Sequence, residues 1–219
     1  MPSVKIPRKS TATDMTPFVD VAFLILSFFM LATKFKPPAP LDITTPRSVS
    51  ADKLKMQDGI LVEFDSSGRV FFTVQVEKPQ VDAGLKRDLI TNISKVRNLN
   101  LTAGEIESFV NNPTVGVPFS QLKGLLSLPP DQRSPALQTG IPVDSTDNQL
   151  AEWVRQASDV FAFRQMTIMV KGDNNARYPS FKGVIQAFTA NKQYKYQMIT
   201  DPELPPVGTE LYKRRQQGL

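Results

Sequence analysis

Cysteine and histidine are both absent from the 219-residue sequence. Without cysteine the chain has no thiol nucleophile and no disulfide, and without histidine it lacks the usual general base at neutral pH. Most transition-metal sites also depend on these two residues, so we expect neither a metal nor a cofactor. The sequence shows no nucleophile elbow and no phosphate-binding glycine loop either. These absences favour a function other than enzymatic catalysis.

The excess of positive charge is small. Lysine and arginine number 26 against 21 acidic residues, which gives a formal net charge of +5. The basic residues form only two short groups, at residues 5–9 and 213–215. A nucleic-acid-binding surface would combine basic residues with interleaved aromatics on one element. We therefore expect no nucleic-acid partner, and we interpret residues 206–219 as a basic tail.

One long apolar stretch lies near the N-terminus. Residues 15–33 read MTPFVDVAFLILSFFMLAT and contain fourteen apolar residues but a single ionisable one, Asp20. As an α-helix they would span roughly 28 Å, close to the ~30 Å hydrocarbon core of a bilayer. A buried helix of a soluble protein is usually shorter, at about 11–12 residues, and carries a polar stripe. A cleaved signal peptide would end in a small-residue cleavage site, which does not follow here. The pattern predicts a single transmembrane helix at residues 15–33, after a short tail at residues 1–14.

Asp20 is the unusual residue of this segment. A charged aspartate in a spanning helix costs about 2.5–3.5 kcal/mol, and a single helix offers no partner within its own subunit. The side chain therefore needs a second chain, a water-filled path or a proton; alternatively, it lies near enough to the membrane surface to be hydrated. Thr16 and Ser27 share its helical face, at spacings of four and seven residues. These three polar residues form one candidate functional face.

Pro17 marks the entry into the helix in one of two ways. Thr16 can act as the N-cap with Pro17 as the first helical residue, a position where proline loses no needed N–H. Alternatively, the helix begins nearer Thr13 and Pro17 bends it. The sequence leaves both arrangements open.

At these residues the sequence resembles the ExbD/TolR family. Residues 16–21 read TPFVDV, similar to the family signature T-P-[FL]-[IV]-D-[VI] ahead of an apolar span. A second stretch agrees with the family's closing strand, acidic residue, tyrosine-led helix and final strand: residues 169–173 read MVKGD, 178–181 read YPSF and 196–200 read YQMIT. The two stretches follow one another in the expected order and together cover roughly half of the chain.

The resemblance implies both partners and a role for Asp20. Family members form a dimer of spanning helices inside a ring of polytopic ExbB- or TolQ-like subunits, and pass their output to a TonB- or TolA-like energy transducer. By its position in the motif, Asp20 matches the family's proton-carrying aspartate. The implied location is the bacterial inner membrane, with a cytoplasmic N-terminus and a periplasmic C-terminal domain. Counting basic residues on the two sides of the segment favours this orientation only slightly.

The remainder of the chain is expected to form an α+β domain on a tether. Residues 34–59 contain four prolines and few large apolar side chains, which favours an extended linker. The domain is expected at residues 60–205, with residues 98–145 as an insert beyond the compact family domain. Apolar periodicity predicts a hairpin at 60–76, helices at 81–96, 147–163 and 179–190, and strands at 165–171 and 194–200. Trp153 and Phe161 are interpreted as core residues rather than a binding patch.

Three functions remain open at this point. The resemblance implies a proton-driven motor subunit that energises TonB-dependent transport across the outer membrane. A Tol-Pal component that maintains envelope integrity is the sister alternative. A passively anchored periplasmic binding or structural module is the third, in which Asp20 only pairs with a neighbouring helix.

Overall fold

The chain forms two compact units in the computed structural model, residues 1–38 and residues 39–219. The described residues are 15–32, 41, 43–49, 58–78, 82–129, 132–133, 138–210 and 212–213. The predicted tail at residues 1–14 lies outside them. So do much of the predicted linker and the end of the predicted basic tail.

The described part of the first unit is one helix, α1, which spans Thr16–Ala32. Met15 precedes it and accepts a hydrogen bond from the Val19 amide at 3.0 Å. Thr16 is therefore the first helical residue and Pro17 the second. The helix begins beside Pro17 rather than nearer Thr13, but Met15, not the predicted Thr16, lies at the N-cap position. No helix in the described residues is both long and apolar enough to cross a membrane.

A five-stranded sheet is the centre of the second unit. Its strands span Gly59–Phe64 (β2), Val70–Gln75 (β3), Thr114–Val115 (β4), Thr167–Gly172 (β5) and Gln197–Ile199 (β6). The strand order is β4-β3-β2-β5-β6, with β2 antiparallel to β3 and parallel to β5. Two shorter strands, Arg47–Ser48 (β1) and Asp201–Pro202 (β7), pair in parallel apart from this sheet. The unit is α+β, as the sequence predicts.

The predicted hairpin of β2 and β3 is confirmed. It forms because alternate side chains along both strands are apolar and face the core. On β2, Ile60 and Val62 point into the core, and on β3 Val70, Phe72 and Val74 do the same. The turn between the strands closes on Gly68, whose φ of 90° is a conformation that glycine adopts without steric cost.

Five helices of the described residues pack against the sheet. They span Ala83–Val96 (α2), Ala103–Asn111 (α3), Phe119–Ser127 (α4), Gln149–Val160 (α5) and Tyr178–Ala190 (α6). Neighbouring helices contact one another in the order α6, α5, α2, α3, α4. α5 is shorter than predicted at both ends. Asn148 caps its start by accepting a hydrogen bond from the Ala151 amide at 3.2 Å, and the chain turns at residues 161–163. β6 is likewise shorter than the predicted strand: residues 191–192 form a turn and residues 193–196 are irregular before the strand begins at Gln197.

The segment predicted to be an insert contributes to the same core as the rest of the domain. Its helices α3 and α4 supply Phe109 and Phe119, whose rings stack on Trp153 of α5 at centroid distances of 6.0 and 5.6 Å. Phe72 of β3 contacts the same indole at 5.0 Å. Trp153 and Phe161 are both buried, which confirms their interpretation as core.

Residues 43–49, within the predicted linker, are extended but paired to the domain. We call them the strap. The amide of Thr44 donates to a carboxylate oxygen of Asp173 at 3.1 Å, and the Asn174 amide donates to the Thr44 carbonyl at 2.8 Å. Thr45 is buried. An extended proline-rich segment was predicted; its pairing with residues more than 120 positions away was not.

Trp153 provides a test of the shared core. We expect Trp153→Ala to lower the free energy of unfolding by about 3–5 kcal/mol, because the substitution removes the ring on which β3, α3 and α4 all pack. Phe163→Ala is the matched control, since that ring is fully exposed, and a change within about 0.5 kcal/mol is expected. Urea denaturation followed by far-UV circular dichroism measures both. A loss below about 1 kcal/mol for Trp153→Ala would show that α3 and α4 form a core of their own.

Candidate functional site

The three polar residues singled out in the sequence lie on α1 as predicted. At about 100° per residue, Thr16, Asp20 and Ser27 fall within an arc of about 40° on one side of the helix. Asp20 is about 6 Å from Thr16 along the axis and about 10 Å from Ser27. The Asp20 side chain is exposed on this face. Within α1, no residue other than Asp20 carries an ionisable side chain.

Asp20 and Ser27 have different surroundings along this face. The Ser27 hydroxyl donates to the Leu24 carbonyl of the preceding turn at 2.9 Å, so its proton is engaged within the helix. Asp20 and Thr16 border a shallow groove whose other walls are Met15, Val19 and Phe23. A partner side chain entering this groove would meet the aspartate between apolar neighbours.

In the second unit, a charged cluster lies where the chain enters β2. Nη1 of Arg164 lies 2.9 Å from the Asp58 carboxylate and 2.8 Å from that of Asp82. Asp58 also accepts the Glu77 amide at 2.7 Å, and its carbonyl accepts the Thr167 amide at 2.9 Å. The hydrogen bond to Asp58 and the hydrogen bond to Asp82 both raise the pKa of the Arg164 guanidinium above its usual value. We call Asp58, Arg164 and Asp82 the anchor.

The carboxylates on β2 and its turn have opposite environments. Burial raises the pKa of Glu63 above its usual value, and Lys171 at 3.7 Å only partly offsets this effect. For Asp65 burial acts in the same direction, but hydrogen bonds from Ser67 and Arg69 outweigh it and lower the pKa. Both side chains are held by groups of their own domain. Neither lies in a constellation suited to catalysis.

Two acidic residues, Asp173 and Asp201, pair with the strap, Asp173 through its carboxylate and Asp201 through its backbone amide. Asp173 accepts the Thr44 amide with one oxygen and the Asn175 amide with the other. Asp201 lies opposite Arg47 in the β1–β7 pair and donates its amide to the Pro46 carbonyl at 3.0 Å. No group of acidic residues in the described part of the chain is arranged to hold a metal ion. Their geometry supports a structural role.

The family model for the biopolymer transport protein ExbD/TolR matches residues 7–203. The chain belongs to the ExbD/TolR family. The matched range includes α1 with Asp20, the whole five-stranded sheet and the predicted insert at residues 98–145. No curated protein and no solved structure matches the sequence.

Membership of the ExbD/TolR family makes the chain a biopolymer-transport stator subunit. Proteins of this family are non-enzymatic, lie in the inner membrane and work with ExbB/TolQ-type membrane proteins and with TonB or TolA. The resemblance found in the sequence is confirmed. Sequence reasoning did not find the strap or the anchor, since neither follows a local pattern.

A buried lysine of the folded domain gives a pH-dependent test. Lys86 is 7% exposed, its ammonium has only a 3.4 Å contact to the Val110 carbonyl, and burial lowers its pKa. We expect Lys86→Met to raise the free energy of unfolding at pH 7 by about 1 kcal/mol, because the buried charge is removed. The pKa of Lys86 is lower in the folded state than in the unfolded state. The destabilisation of the wild type is therefore full below the folded-state pKa, and it is lost as pH rises from the folded-state pKa towards the unfolded-state pKa. The gain should therefore shrink towards pH 10.

Urea denaturation at pH 7 and pH 10, followed by the fluorescence of Trp153, measures this difference. Lys95→Met is the matched control, since Lys95 lies on the same helix but is exposed, and a change within about 0.5 kcal/mol at both pH values is expected. A clear loss of stability for Lys86→Met would mean that the contact with Val110 outweighs the cost of burial.

Proposed function

We propose that this ExbD/TolR-family chain is the proton-carrying subunit of an inner-membrane motor that energises TonB-dependent transport across the outer membrane. The observation that carries the proposal is Asp20: it is the one ionisable residue of a largely apolar helix and lines a shallow groove on its surface. We propose residues 15–33 as the single membrane-spanning segment, with the N-terminus cytoplasmic and the folded domain periplasmic.

The proposed cycle alternates Asp20 between charged and neutral forms. In apolar surroundings the charged carboxylate is costly, and α1 itself supplies no cation to offset it. A polytopic ExbB/TolQ-like ring would supply the polar path, and α1 would favour different positions in the two protonation states. One proton crossing 100 mV releases about 2.3 kcal/mol. That free energy would drive movement of the helix relative to the ring.

The proposed assembly contains two copies of this chain. Two α1 helices inside one ring would place two Asp20 carboxyls in turn against the same partner surface. The folded domain would transmit the movement through the linker to a TonB-like transducer. A Tol-Pal output uses the same membrane chemistry, so the identity of the transducer is the difference between the two candidates.

Replacing the carboxylate by its neutral isostere tests the proton cycle. We expect Asp20→Asn to reduce energy-dependent uptake of a ferric chelate to background, because the amide cannot exchange a proton. Ser27→Ala on the same face should retain at least half of the uptake, since the Ser27 hydroxyl is already bonded to Leu24. Uptake is measured in cells, with protein level, membrane insertion and copurification of the ring checked for each variant.

The other results each select an alternative. Normal uptake by Asp20→Asn combined with new sensitivity to detergent would assign the motor to envelope integrity. Normal uptake and a normal envelope would show that Asp20 carries no proton, and a passive anchor would replace the motor. Equal losses in Asp20→Asn and Ser27→Ala would point to assembly of the helix face rather than to proton transfer.

A further inference from the structure

The turn between α6 and β6 holds a lysine in a backbone conformation that usually belongs to glycine. Lys192 has a φ of 58°, in the left-handed region that is unfavourable for a residue with a Cβ. Its amide donates to the Thr189 carbonyl at 3.0 Å, and the Gln193 amide donates to the Phe188 carbonyl at 2.9 Å. This is the Schellman ending of a helix, in which glycine is the usual residue. A lysine lowers stability here, which points to a use for its side chain.

Other side chains of the turn fix it against the helices behind it. Asn191 donates from Nδ2 to two backbone carbonyls, one on α5 and one on α6, at 2.9 and 2.8 Å. Gln193 donates to the Ser158 hydroxyl of α5 at 3.2 Å. Tyr196 packs against Phe188 of α6 with 5.8 Å between the ring centroids. The outward side chains of the turn are therefore presented from a rigid base.

These outward side chains are basic and aromatic. Lys192 and Lys195 are exposed, and Tyr194 between them is 69% exposed. Within the part of the chain that the structure describes, neither lysine has a carboxylate partner for its ammonium group. Two positive charges and an aromatic ring thus face the solvent side by side.

An open cleft begins at this turn and follows β6. It has a volume of about 660 Å³ and is lined by residues 165–168 and 194–198, among which Lys195 alone carries a charge. β6 is the last strand in the order of the sheet and pairs with β5 over three residue pairs. Gln197 and Met198 of this strand are exposed. The cleft therefore combines the edge of a strand with apolar side chains and positive charge.

We propose that the edge of β6, together with Lys192, Tyr194 and Lys195, binds an extended acidic segment of a partner protein, which adds as a strand beside β6. We call this surface the β6 site. An edge strand offers backbone N–H and C=O groups that an extended peptide can pair with. The two ammonium groups meet carboxylates of the segment, while Tyr194 and Met198 contact its apolar side chains. A lipid headgroup would use the charges but not the strand edge. The β6 site does not depend on proton transfer by Asp20.

Binding of designed peptides to the full chain in a phosphatidylcholine nanodisc tests the β6 site. The probe is a short fluorescein-labelled peptide that alternates glutamate with valine, and its fluorescence polarisation is followed as protein is added. We expect saturable binding. A peptide that alternates lysine with valine reverses the charge, and an N-methylated form of the acidic peptide lacks the backbone donors. Each of these two peptides is the matched control for one part of the recognition, and neither should bind detectably.

Two substitutions separate the charge of the turn from its fold. We expect Lys192→Gly to raise the equilibrium constant for folding about fivefold, because glycine accepts the positive φ, and yet to weaken binding of the acidic peptide. Lys195→Gln should also weaken it, by about threefold in each variant, the effect of losing one exposed charge pair. Lys95→Gln is the matched control, since Lys95 is exposed on α2, and should leave binding unchanged. Urea denaturation checks the stability of each variant.

The opposite results are equally clear. Failure of the acidic peptide to bind the wild type, or equal binding of the lysine–valine peptide, overturns the β6 site. Equal binding of the N-methylated peptide overturns strand addition. Unchanged binding in both lysine variants overturns the placement at this turn, whatever Asp20→Asn does to uptake. Phosphatidylglycerol vesicles that displace the peptide from the wild type, and bind both lysine variants less well, would assign the surface to lipid instead.

Discussion

The contact of three phenylalanine rings with Trp153 is the interaction on which the folded domain depends. Phe72 contacts this indole from β3 of the sheet. Phe109 and Phe119 contact it from α3 and α4, the two helices of the segment that was predicted to be an insert. Because the three rings come from different elements, the sheet and the helical layer share one core. The matched family range also includes that segment. It is thus better described as a part of the domain than as an addition to it.

A shared core explains which segments of the domain are continuous with its interior. β2 lies between β3 and β5 and contributes Ile60, Val62 and Phe64 to the buried cluster. Moving β2 would expose that cluster and break two ladders at once. The strap contributes no member to the same cluster, and its hydrogen bonds lie outside it. The anchor therefore adjoins a strand of the core, whereas the strap pairs with β7, outside the five-stranded sheet.

Local patterns in the sequence predicted the elements whose cause is local. The hairpin follows from alternation around Gly68, and α1 from its apolar composition and the motif with Asp20. The capping box of Thr102 and Glu105 at the start of α3 was also a readable signal, but no helix was predicted there. The strap and the anchor had no such signal. Arg164 and Asp58 are 106 residues apart, and Thr44 and Asp173 are 129 apart. Only the assembled sheet brings them together.

A buried carboxylate needs a nearby positive charge or a proton, and the folded domain and α1 differ in whether they supply a positive charge. Asp58 and Asp82 are balanced by Arg164, and Glu63 faces Lys171, so each of these carboxylates has a partner within its own domain. α1 contains no basic residue, and the positions one turn from Asp20 are Thr16 and Leu24. Within α1 no side chain can balance the charge of Asp20 in apolar surroundings, so under the proposed function a partner molecule or a proton does so. A carboxyl that its own helix does not hold in the charged state can change its protonation state, which is the property that the proposed proton cycle requires.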